Sequence, residues 1–62
     1  MTPEYLKARR EEAGLSKYRL AKLVGIQRGD LGQMEAGRRV IGPGMAARLR
    51  EALAQATQER DA

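Results

Sequence analysis

The side chains of this chain that can do chemistry are nearly all cations. Twelve Lys and Arg stand against eight Asp and Glu, and the excess of four is unevenly placed. Residues 1–15 set Lys7, Arg9 and Arg10 against Glu4, Glu11 and Glu12. Residues 41–62 set Arg48, Arg50 and Arg60 against Glu51, Glu59 and Asp61, so both ends are neutral. Between them lie Lys17, Arg19, Lys22, Arg28, Arg38 and Arg39, opposed only by Asp30 and Glu35. A cationic excess confined to one stretch is the footprint of a phosphate-binding surface. The plainer alternative is a solvated basic face. Covalent and metal chemistry find few candidates. With no Cys and no His, disulfides, thiolate ligands, imidazole ligands and the usual general base are all missing. Ser16 beside Lys17 is the one nucleophile-like pair, and helix capping accounts for Ser16. No enzyme, cofactor, metal or small-molecule ligand is therefore expected.

The elements that must position these cations are short helices. Ser16 can cap a helix over Lys17–Val24, in which Leu20, Ala21, Leu23 and Val24 recur at helical spacing. Gly25 stands where the chain turns sharply, a conformation that costs glycine little. After Ile26 the period resumes over about Arg28–Ala36, with Leu31, Met34 and Glu35 on one face. Ala21 is small where a second helix would cross closely. Helix, glycine-bearing turn and helix over residues 16–37 make a helix-turn-helix.

That run, GLSKYRLAKLVGIQRGDLGQMEAGRR, resembles the lambda-repressor-like (Cro/XRE-type) DNA-binding domain. Gly14, Leu15, Ser16, Leu20, Ala21, Gly25, Ile26, Leu31, Met34, Glu35 and Gly37 match in register, eleven positions in 24. The likeness extends more loosely to the flanking helices and covers most of the chain. It implies an all-α, four- to five-helix bundle that binds double-stranded DNA, with the third helix in the major groove. It implies further that Arg28, Gly29 and Gln33 are the base-contacting positions. Their chemistry suits: Arg can take guanine O6 and N7 together, Gln can do likewise with adenine N6 and N7, and Gly29 permits close approach of the backbone. Lys17 matches the position where a helix N-terminus and polar side chain grip phosphate, and Tyr18, Gln27, Arg38 and Arg39 join it as phosphate contacts. For Tyr18 a ring packed on the first helix is an equal alternative. Arg10 and Glu35 match a structural ion pair between the first and third helices. The family largely works as homodimers on palindromic sites.

The rest of the chain supports a small domain spanning residues 1–62. Thr2 as N-cap, Pro3 at the first helical position and Glu4 in the first turn start a helix that should end near Ala13, with Gly14 as its left-handed cap. Leu6 and Ala13 face inward, Arg10 leans the same way, and Tyr5 is expected half-buried. Gln27 is a weaker N-cap than the Ser or Thr usual there. Asp30 then has competing roles: an acid favoured in the first turn, which is preferred, or a base-contacting or Arg28-orienting carboxylate. Gly29 and Gly32 each cost the helix about 1 kcal/mol against alanine. Val40 and Ile41 are expected to anchor the following loop. Gly42-Pro43-Gly44 has the composition of a phosphate loop, but Pro43 as the first residue of a fourth helix is the simpler role.

The fourth helix carries Met45, Leu49, Ala52, Leu53 and Ala56 on one stripe. Leu53 and Ala56 extend that stripe beyond the apparent needs of the core, which points to dimerisation there. Where the family breaks and adds a fifth helix, AQATQERDA can continue the fourth helix or fray over residues 57–62. With no Phe or Trp, the core must be built from aliphatic residues and Met, near the lower size limit for independent folding. No apolar run approaches the roughly 20 residues of a membrane-spanning helix. With a helix starting so close to Met1, no signal peptide is expected, and a cytoplasmic, nucleoid-associated protein is expected. A rival reading is an interaction module, antirepressor- or antitoxin-like, in which Gly29, Asp30 and Gly32 mark a scaffold that has lost base reading.

Overall fold

The computed structural model describes the backbone of residues 1–61 and the side chains of residues 1–58. The helices are α1 (Pro3–Glu12), α2 (Lys17–Val24), α3 (Arg28–Glu35) and α4 (Pro43–Asp61). Among the described residues there is no strand. The all-α expectation holds, with four helices among the described residues, because the final segment prolongs α4 to Asp61.

Each start follows from local chemistry. The Thr2 hydroxyl accepts from the Tyr5 amide at 3.1 Å, and Pro3 opens α1. The Ser16 hydroxyl accepts from the Arg19 amide at 3.1 Å and opens α2. Gln27 makes no such bond at the head of α3. The ends use glycine. At Gly25 (φ 85°) the Gly25 and Ile26 amides both reach the Ala21 carbonyl at 2.9 Å, which turns α2 sharply into α3. At Gly37 (φ 78°) the Arg38 amide reaches back to the Gln33 carbonyl at 2.9 Å, closing α3 in the left-handed turn that only glycine adopts cheaply.

Leu6, Leu20, Leu31 and Leu49, one from each helix, are fully buried and meet at the centre. Burying each such side chain is worth about 1.5–3 kcal/mol. Ala13, Ala21, Val24, Met34, Ala46, Ala52, Leu53 and Ala56 surround them. The small side chains let α2 pack on both α3 and α4, while α1 closes the other side.

Three expectations are corrected here. Leu53 and Ala56 are buried in the chain's own core, so these two residues are not spare apolar surface. A core without large aromatics needs the whole stripe. Val40 is 90% exposed, whereas its neighbour Ile41 packs against the core. Leu23 is 55% exposed, because Leu20, Ala21 and Val24 already fill the inward arc of α2 and position 23 falls outside it.

Candidate nucleic-acid interface

α3 has eight residues, and its burial pattern fixes what it offers outward. Leu31 and Met34 point into the core, which leaves Arg28, Gly29 and Gln33 exposed and Gly32 half-exposed. Arg28 and Asp30, two residues and hence about 200° apart around the helix, stand at opposite edges of that face. Beside the Arg28 edge runs an open groove of about 600 Å³, lined by Lys17 and Tyr18 from α2, Arg28, Gly29 and Gly32 from α3, and Arg10 and Ser16. The first turns of two helices thus converge on one concavity with three cations in its walls. Helix N-termini carry free amides and a positive dipole end, so both suit an anion. Lys22 Nζ sits 5.9 Å from the centroid of the half-exposed Tyr18 ring, a cation–π contact one turn apart on the outer face of α2. Gln27 lies beside Tyr18 and Arg28 in an adjoining recess.

The orientation of α3 is set by the ion pair that joins it to α1. Arg10 Nε donates to Glu35 Oε2 at 2.7 Å and Arg10 Nη2 donates to Oε1 at 3.1 Å, a two-pronged pair. Arg10 Nη1 also donates to the Leu15 carbonyl at 2.8 Å, which ties the turn before α2 to the same guanidinium. The side chains are 11% and 4% exposed. Hydrogen bonding to Glu35 raises the Arg10 pKa above its ordinary value, against the opposing effect of burial, and the charges of Glu35 and Glu11 add to it. The pair expected from the sequence is present with its partners as named.

Arg38 and Arg39 lie apart from that groove. They line a separate cavity of about 260 Å³ with Met1, Pro3, Gly37, Val40 and Ile41. Arg38 is exposed. Arg39 is already engaged, since its Nη1 donates to Asp30 Oδ1 at 2.7 Å. Asp30 takes the preferred place expected of it and gains a partner that the sequence did not name. It remains in the first turn of α3, where the dipole favours an acid, but its hydrogen-bonded oxygen turns to Arg39. The reversal at Gly37 brings the loop back alongside α3, within reach of a long arginine.

One positioning residue was not found from the sequence. Arg48 on α4 donates through Nη2 to the Val24 carbonyl, capping the end of α2 just before its turn. A Cβ built on Gly25 would meet that same Nη2 at 3.3 Å. No local pattern signals this contact, because it depends on how α4 crosses α2.

Two helices meeting at a left-handed glycine, the second presenting Arg and Gln outward and flanked by cations, define a helix-turn-helix. A family model described as a helix-turn-helix domain matches residues 4–62. The chain belongs to that family, in keeping with the Cro/XRE type, and the membership points to DNA binding. No curated protein and no solved structure gives a match. Among the described residues, no helix is long and apolar enough to cross a membrane.

Proposed function

We propose that the protein is a small cytoplasmic transcriptional regulator that binds double-stranded DNA sequence-specifically, with α3 in the major groove. The observation that carries this reading is the shared outward face of Arg28, Gly29 and Gln33, bordered by the cationic groove at the head of α2. Arg28 reads a guanine and Gln33 an adenine, each through two hydrogen bonds. Gly29 lets the backbone approach the base edges. Lys17, Tyr18 and Gln27 grip phosphate on one side of the groove, and Arg38 grips it on the other. The regulator acts as a homodimer on a palindrome whose half-sites lie about one helical turn apart.

Selection of bound sequences from a random duplex pool tests the proposal. Enrichment of a palindrome is expected, and loss of that enrichment with Arg28→Ala. Recovery of unselected sequence would remove the base-reading role. A second reading, an interaction module on the same scaffold, draws on the pairing of Arg39 with Asp30, which takes one cation out of the positive face. It requires that duplex affinity be weak and insensitive to salt.

A further inference from the structure

The Asp30–Arg39 pair joins the first turn of α3 to the loop that leaves that helix, nine residues later. Asp30 lies at the edge of the outward face opposite Arg28. Its side chain is 41% exposed and that of Arg39 is 55% exposed. A pair this open is screened and easily separated by a competing anion. On DNA the competitor is a backbone phosphate, which offers Arg39 the same charge-assisted hydrogen bonds.

Separation has a consequence for the residue left behind. A freed Asp30 carboxylate would stand between phosphates and a groove floor rich in acceptors. It can only accept hydrogen bonds, and among the groove-edge groups the cytosine N4 amino is the donor that suits a carboxylate. Where a cytosine faces Asp30, transfer of Arg39 to phosphate is repaid by that new bond. Elsewhere the carboxylate is stranded, and Arg39 stays on Asp30. We propose that Asp30 is a specificity-determining residue that withholds Arg39 from sequence-independent phosphate binding and releases it at sites with a cytosine opposite Asp30. The inference rests on the DNA-binding reading above and assigns the acid on that face a part in it.

Salt titration of duplex binding by fluorescence anisotropy tests this with Asp30→Asn, Arg39→Ala and the double variant. A random duplex and the selected site are both measured. On the random duplex, Arg39→Ala should leave the salt dependence as it was, since the withheld cation releases no counterion. Asp30→Asn should steepen the log–log slope by about 0.9, an extra loss of about 3.5-fold in affinity between 50 and 200 mM salt. The double variant should return to the parental slope. On the selected site, Asp30→Asn should relax the preference for cytosine at one position per half-site. An unchanged slope in Asp30→Asn overturns the inference, as does a slope already reduced by Arg39→Ala alone on the random duplex. Failure of the parent chain to bind any duplex would overturn the DNA-binding reading and this inference with it. Binding by the parent with unresponsive variants overturns the inference alone.

Discussion

Replacing Gly29 and Gly32 together with alanine separates what α3 needs to fold from what its outer face needs to do. Both glycines are in α3, neither has a positive φ, and a Cβ built on either meets nothing within 4 Å. Nothing in the protein therefore requires glycine at these positions. Each alanine should stabilise the helix by up to about 1 kcal/mol, with Gly29 at the lower end because it lies in the first turn, giving about 1.5 kcal/mol for the pair. A domain of this size holds only about 3–9 kcal/mol in all. The gain should raise the melting temperature by roughly 6–12 °C in a circular-dichroism melt. The same two methyl groups project from the face assigned to the DNA. If the α3 backbone lies against base edges, they must push it away, and loss of one good two-pronged base contact costs about 1–3 kcal/mol. The double variant should then be a more stable protein and a binder at least about fivefold weaker on its selected site. A lower melting temperature would refute the claim that the space around these glycines is open. Undiminished affinity would refute the close approach of α3 to the bases.

Other perturbations address the remaining parts of the site. Glu35→Ala leaves the largely buried Arg10 guanidinium with the Leu15 carbonyl as its remaining partner and should destabilise by about 3 kcal/mol, read from urea unfolding; an unchanged midpoint would make the pair dispensable. Arg28→Ala should cost about 1–3 kcal/mol on the selected site and relax the base choice at its contact, as measured by repeat selection. Lys17→Ala should weaken all duplexes about equally and lower the salt slope by about 0.9; a sequence-dependent effect would move it from phosphate to base contact. Leu49→Ala empties part of a fully buried site and should cost about 2–5 kcal/mol, a large share of the domain's stability, read as a lower urea midpoint by far-ultraviolet ellipticity; an unchanged midpoint would refute the packing.

The parts of this fold legible in the sequence are those with local causes. Thr2 and Ser16 cap because a hydroxyl three residues before a free amide has little else to do, and Gly25 and Gly37 turn the chain because few other residues take a positive φ. The Arg10–Glu35 pair spans 25 residues, yet it was legible for a different reason: an acid in the last turn of a helix and on its inward side demands a cation, and the family likeness names the partner. Val40 and Ile41 were not separable, since in a loop without regular periodicity apolarity alone does not say which of two neighbours faces the core.

The charge tally has the same limit, and it matters most for function. Counting residues places the whole positive excess between Lys17 and Arg39, but a formal charge is available to DNA only when no nearer acid or carbonyl holds it. Arg10 lines the groove and spends its donors on Glu35 and Leu15. Arg48 turns to the end of α2, and Arg39 turns to Asp30. Lys17 and Arg28 are exposed beside one groove, Arg38 is exposed apart from it, and Arg19 and Lys22 are exposed further round α2. With Arg10 and Arg39 engaged by acids, fewer cations are at hand for phosphate than the tally suggests, and the preference for one sequence must come from base contacts by Arg28 and Gln33. On that account a brake on Arg39 costs little on the preferred site. Its larger effect is on every other sequence, where phosphate contacts supply nearly all of the binding.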